Sequence, residues 1–152
     1  MTLTIVSLPN TTTALIASFD LGILEGTMLI AADETTLDHV RQEMEGGSKA
    51  KAKKSPASGP ALKNRTVYIA WRGRDTGDSN EVHPGSYGSQ TGTLTFKNAK
   101  CTTFKGTGSF PMLGSACDIT GTKLSDEADE VPEPWANFDE AAYEEANRNR
   151  WR

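Results

Sequence analysis

Cysteine and histidine are scarce in this chain of 152 residues, which contains two of each. Cys101 and Cys117 are too few for a disulfide framework, and their spacing matches no zinc or redox motif. His39 and His83 stand far apart from each other and from both cysteines, so the spacing predicts no metal centre. We therefore expect neither a metal nor a cofactor, and the disulfide-rich and zinc-finger classes are disfavoured.

The chain also lacks a long apolar run. The longest such stretch, residues 21–32, contains Glu25, and a membrane span needs about 20 apolar residues. The opening segment MTLTIVSLP has no basic region and no long apolar region of the kind that secretory signals use. We expect no membrane span and a cytoplasmic location, where thiols stay reduced.

Charge is unevenly distributed along the sequence, although the net charge is only −4. Residues 41–74 hold nine Lys/Arg and two Asp/Glu, whereas residues 125–152 hold three and nine. The basic segment includes a Lys/Pro/Ser-rich stretch at 46–64 without apolar periodicity, which predicts a flexible loop. Because that stretch lacks the aromatic residues used for base stacking, a nucleic-acid partner is not expected.

Short β-branched and apolar segments separated by turn residues predict a mainly β protein. Leu37, Val40 and Met44 follow at helical spacing and predict one short helix after the third strand. Helices do not alternate with strands, so a parallel α/β fold is disfavoured. We expect a single compact antiparallel β-barrel or sandwich, with strands at residues 3–8, 12–19, 24–32, 66–72, 93–96, 101–104 and 116–124.

This predicted architecture resembles that of small ligand-binding barrels such as the lipocalin-like proteins. No signature motif accompanies the resemblance, so it implies a fold and not a function. Residues 1–124 are expected to form the β domain, interrupted by the loop at 46–64. Residues 125–152 form an acidic tail that holds four of the eleven aromatic residues, includes a predicted short helix at 135–146, and is expected to dock on the domain or on a partner.

One polar cluster stands out where a predicted buried strand leaves the sheet. Its arginines suit a carboxylate or phosphate group, and its histidine can exchange a proton near neutral pH with a carboxylate to orient it. The plain alternative is a network of ion pairs between loop residues. The predicted ligand-binding residues are Tyr68, Trp71, Arg72 and Arg74, and the predicted catalytic residues are Asp75, Glu81 and His83.

Three functions are compatible with these patterns. The first is a protein that binds a small molecule at the polar cluster, since barrel mouths are common ligand sites. The second is a metal-independent isomerase or cyclase that uses His83 and a carboxylate as acid and base. The third is an interaction or adaptor protein that acts through the basic loop and the acidic tail. The apolar N-terminal strands also allow pairing with a second copy in a homodimer.

Overall fold

The computed structural model describes residues 2–8, 11–46, 65–77, 79–85, 89–111, 113–128 and 130–150. Strands account for 46% of the described residues and form a curled antiparallel half-barrel with two short helices, which confirms the predicted mainly β fold. The strands are β1 (Thr2–Ser7), β2 (Ala14–Asp20), β3 (Leu24–Ala31), β4 (Thr66–Asp75), β5 (Val82–His83), β6 (Thr91–Phe96), β7 (Thr103–Phe110) and β8 (Gly114–Thr122). The helices are α1 (Glu34–Glu45) and α2 (Glu140–Arg150), with a 3-10 turn at Trp135–Phe138.

The sheet follows the order β1-β2-β3-β4-β6-β7-β8, and every neighbouring pair is antiparallel. β4 is long enough to have two partners along one edge. It pairs with β6 through its first half and with the short strand β5 at Gly73 and Arg74. Within the residues described, no helix is long and apolar enough to cross a membrane.

Side chains alternate between two faces of the sheet, and each face has its own core. We call inner the face whose buried cluster extends from β2 to β7, and outer the opposite face. The inner cluster consists of Ala17, Phe19, Leu24, Met28, Ile30, Val67, Ile69, Trp71, Leu94 and Phe110. The outer cluster consists of Leu8, Ala14, Ile16, Leu29, Ala31, Leu37, Val40, Ala70 and Trp135.

The outer face of β2 to β4 is covered by α1 and by the C-terminal segment. α1 begins where the Asp33 carboxylate accepts a hydrogen bond from the Thr36 amide at 2.8 Å, and it buries Leu37 and Val40. The 3-10 turn contributes Trp135 and Phe138, which are 2% and 0% exposed. α2 buries none of its side chains, so the turn before it holds the segment on the sheet.

The structure differs from the predicted elements at β4, β5 and β7, and β7 spans Thr103–Phe110 where a strand at 101–104 is predicted. The glycine and charges after Trp71 predict the end of a strand, but β4 continues to Asp75 because β3 pairs with it along its full second half. β5 has only two residues and no sequence signature of its own. The predicted C-terminal helix is divided into the 3-10 turn and α2. Of the predicted loop at 46–64, only Gly46 lies among the described residues.

Two glycines, Gly26 and Gly73, lie directly opposite each other on β3 and β4. A methyl group at Gly73 would overlap the backbone carbonyl of Glu25, which a side-chain rotation cannot relieve. Gly73→Ala is therefore expected to lower the free energy of unfolding by about 1–3 kcal/mol in urea titrations. Gly77→Ala is the matched control, since no atom lies within 4 Å of its Cβ position. Equal losses in both variants would contradict the close approach of the two strands.

Candidate functional site

His83 and Asp75 form a part-buried polar pair at one end of the inner face. β5 places His83 opposite Gly73, so that its ring projects to the same face as Asp75 at the end of β4. His83 Nε2 lies 2.8 Å from Asp75 Oδ1, and the two side chains are 11% and 7% exposed. Ser79 Oγ donates to the other carboxylate oxygen at 3.2 Å. The carboxylate therefore fixes the orientation of the imidazole ring.

The neighbouring strands also hold His83 in place. The buried Gln90 amide donates to the backbone carbonyls of Trp71 and His83 at 3.3 and 3.2 Å. The Trp71 ring lies edge-on to the imidazole with 6.1 Å between their centroids. Trp71 Nε1 is itself fixed, since it donates to the carbonyl of Ser109 at 2.9 Å. The position of the imidazole thus depends on both β4 and β7.

A small recess of about 10 Å³ lies beside His83. A volume of this size holds about one water molecule. Among the described residues that line it, His83 supplies the polar side chain and the others are apolar. Those others are Ile23, Leu24, Phe110, Pro111 and Leu113. Ile23 and Leu113 come from two different hairpin turns and remain 47% and 53% exposed. The recess is therefore lined by His83 and by an otherwise apolar rim.

Arg72 lies on the opposite face of β4 and has structural partners there. Its Nη2 contacts Glu45 Oε1 of α1 at 2.8 Å, and its side chain is 8% exposed. The guanidinium stacks 4.7 Å from the centre of the Trp135 ring. Burial lowers the pKa of Arg72, and the nearby Glu45 carboxylate opposes that shift. Arg72 thus joins α1 and the C-terminal segment to the sheet.

Arg74 lies two residues further along β4, on the same outer face as Arg72. Its Nε donates to Glu25 at 2.8 Å and its Nη2 to Glu133 at 2.6 Å, and its guanidinium lies 5.3 Å from the centre of the Phe138 ring. Burial acts to lower the pKa of Arg74, but the hydrogen bonds to Glu133 and Glu25 outweigh it and raise the pKa. Both arginines keep their charge and both are already paired with carboxylates.

The seven predicted site residues are thus divided by the alternation of the strand. Trp71, Asp75 and His83 meet on the inner face, whereas Tyr68, Arg72 and Arg74 project to the outer face. Glu81 contacts Arg150 of α2 at 3.6 Å. Successive side chains along β4 point to opposite faces of the sheet, so odd and even residue numbers predict this division. No local sequence pattern predicts the apolar rim, because Ile23 and Leu113 are about 90 residues apart in the chain.

A larger depression of about 450 Å³ lies on the uncovered outer face of β6, β7 and β8. Four of its eight lining residues are threonines, and the lining consists of Thr93, Thr95, Lys105, Gly106, Thr107, Asp118, Ile119 and Thr120. These side chains stand in rows on adjacent strands and do not converge on a point. Throughout the described part of the chain, no group of three or more His, Cys, Asp or Glu residues is arranged to hold a metal ion.

Comparison with known proteins identifies no relative. No family model, no curated protein and no solved structure matches this chain. The geometry of the inner-face pair and its rim is therefore the basis for a functional proposal.

Proposed function

We propose that this protein binds a small amphipathic molecule at the end of the half-barrel. In this proposal, a polar atom of the ligand hydrogen-bonds to His83 and its apolar part lies on Ile23 and Leu113. The observation that carries the proposal is the part-buried His83–Asp75 contact of 2.8 Å, which orients the one polar side chain among the described residues that line an otherwise apolar recess. Ligand sites commonly combine an apolar wall with a few fixed polar groups.

The burial of the pair supports a role beyond stability. Removing a carboxylate and an imidazole from water costs solvation free energy, and the attraction within such a buried pair does not in general exceed that cost. Two apolar residues would fill the same position without that cost. Ile23 and Leu113 add a second observation, because large apolar side chains on hairpin turns are exposed beside the pair. Apolar surface that stays in water next to a fixed hydrogen-bonding group is suited to an apolar ligand with one polar head.

The small volume of the recess limits which part of a ligand can enter it, and therefore which class of ligand can bind. Only a terminal group of the ligand enters the 10 Å³ space, and the remainder lies across the rim. A medium-chain alcohol, ketone or carboxylic acid has this form. The Asp75 carboxylate lies beside the imidazole and repels a second negative charge, so we expect neutral ligands to bind more tightly than the corresponding acids.

The test uses the full-length chain with isotope-labelled histidine rings, because the protein has two histidines and one serves as an internal control. His39 lies on α1 with a side chain 70% exposed, far more than the 11% of His83. Titration with hexanol, cyclohexanone or hexanoate is expected to shift the ring signals of His83 and to leave those of His39 unchanged. Equal shifts at both rings, or no shift at either, would remove the support for this site.

A matched pair of variants separates the rim from general surface effects. Leu113→Ser removes an apolar side chain of the rim and is expected to weaken hexanol binding roughly tenfold without a large change in stability. Leu124→Ser is the control, since Leu124 is 94% exposed and lies outside the recess. Weakened binding in both variants would mean that hexanol adheres to the surface without using the recess.

Acid-base catalysis by the same residues is a second candidate, which the His83–Asp75 contact also favours. A carboxylate that orients an imidazole leaves the other ring nitrogen to exchange a proton with a bound molecule. The same titration distinguishes the two functions, because a substrate would change its own spectrum with time and a ligand would not. The role first predicted for Glu81 is not needed for this chemistry, since Glu81 contacts Arg150.

A role as an interaction protein through the acidic tail has less support. Of the large apolar groups in the described part of the tail, Trp135 and Phe138 are buried and Trp135 packs in the outer cluster of the same chain, whereas Val131 is 92% exposed. The tail would have to leave that position before these side chains could meet a partner. The same hypothesis also involves the basic loop at 46–64, which lies largely outside the described residues.

A further inference from the structure

Among the described strands, β1 lies at one edge of the half-barrel. The sheet begins with β1, which pairs with β2 through all six of its residues, and no strand among the described residues pairs with its other edge. Natural edge strands are commonly protected by charged residues, prolines or bulges. β1 has the sequence TLTIVS, without charge or proline, and its pairing with β2 has no register shift. Its outward backbone groups are therefore a template for another strand.

Apolar side chains are exposed beside this edge on the inner face. Ile5 lies opposite Ala17 of the inner cluster, and Leu15 lies on the same face two positions along β2. Their exposed fractions are 37% and 41%. A strand added to β1 would cover part of this surface. The edge of β1 that no described strand pairs with and the exposed apolar pair thus lie side by side.

The other end of the sheet is different. β8 carries Asp118 in its middle and is followed by Lys123, so its edge has the charges that discourage pairing. β1 has none, and two copies of it can approach without electrostatic repulsion. A closed dimer uses the same surface on both chains, which favours pairing of β1 with β1 over pairing of β1 with β8.

We propose that two copies of this chain associate by antiparallel pairing of their β1 strands about a twofold axis. Side chains alternate with a period of two, so only some registers keep the inner faces on the same side of the joined sheet. The register centred on Thr4 does so. It places Leu3 opposite the partner's Ile5, and Ile5 opposite the partner's Leu3. The apolar contact is therefore made twice.

The association is weak and depends on concentration, since six residues of strand bury little surface. Sedimentation velocity of the full-length chain between roughly 5 and 500 µM is expected to show a monomer–dimer equilibrium whose dissociation constant lies within this concentration range. Ile5→Lys introduces a positive charge near its symmetry mate and is expected to lower the association constant by at least about tenfold. Leu124→Lys is the matched control and is expected to leave the association constant unchanged, because Leu124 is 94% exposed and lies just after β8, at the other end of the sheet.

A charge-swap experiment tests the pairing itself. Ile5→Lys and Ile5→Glu are each expected to be monomeric, and their equimolar mixture is expected to dimerise as the wild type does. Ile5→Thr, which keeps a β-branched side chain, covers the case in which a charged variant does not fold, and it is also expected to weaken the dimer. A wild-type protein that stays monomeric throughout, or a dimer unaffected by both charges, would overturn the proposal. The absence of rescue in the mixture of folded variants would also overturn it.

Discussion

Replacing Trp135 with alanine is expected to lower the free energy of unfolding by about 3–5 kcal/mol. The indole is 2% exposed and packs with Leu37 and Val40 of α1 in the outer cluster. Its removal would leave a cavity between the helix and the sheet, and would take away the ring on which the Arg72 guanidinium stacks at 4.7 Å. Urea unfolding followed by far-ultraviolet circular dichroism measures the loss without relying on tryptophan fluorescence.

The control for this prediction lies in the same segment. Val131 is 92% exposed, so Val131→Ala is expected to change the free energy of unfolding by less than about 0.5 kcal/mol. A loss below about 1 kcal/mol for Trp135→Ala would mean that the C-terminal segment does not contribute to the fold in solution. The two variants together distinguish a docked segment from a detached one.

Replacing Trp71 with alanine is expected to have an effect of similar size, about 3–5 kcal/mol, in the other core. The Trp71 ring is 1% exposed, meets Phe19 edge-on at 5.7 Å and stacks on Phe110 at 5.2 Å between centroids. These contacts join β2, β4 and β7 across the inner face. Because the ring also packs against His83, the ring signals of His83 are expected to broaden or shift in this variant while those of His39 remain unchanged.

The two tryptophans offer a sharper comparison when each is replaced with phenylalanine. Trp71 Nε1 donates to the Ser109 carbonyl at 2.9 Å, so Trp71→Phe leaves a partly buried acceptor unpaired. Trp135 Nε1 is buried without a hydrogen-bond partner among the described residues, so Trp135→Phe removes no bond. We expect Trp71→Phe to be the more destabilising by about 1–2 kcal/mol. The reverse order would contradict the hydrogen bond to Ser109.

Local patterns were sufficient for most of the secondary structure. The run from Thr66 to Trp71 has β-branched and aromatic residues in alternation, and it lies in β4. Leu37, Val40 and Met44 predicted α1 because helical spacing is a local property of the chain. β5 could not be found in this way, since two residues carry no periodicity and are held by β4 alone.

The candidate site shows where local patterns stop being informative. The polar residues from Arg72 to His83 are close in sequence, which suggested one cluster. Alternation along β4 sends Arg72 and Arg74 to the outer face and Asp75 to the inner face. The alternation of odd and even residues predicts this separation of the side chains, but only once the strand is known to extend to Asp75.

The sequence by itself determined that this is a mainly β protein with one helix after the third strand, because strand and helix propensities depend on neighbouring residues. Tertiary structure alone decided which charges became structural and which formed a site. Arg72 and Arg74 pair with carboxylates of α1, β3 and the C-terminal segment, whereas Asp75 meets His83 beside a rim built from two distant turns. Those contacts join residues far apart in the chain, and only the folding of the sheet brings them within hydrogen-bond distance.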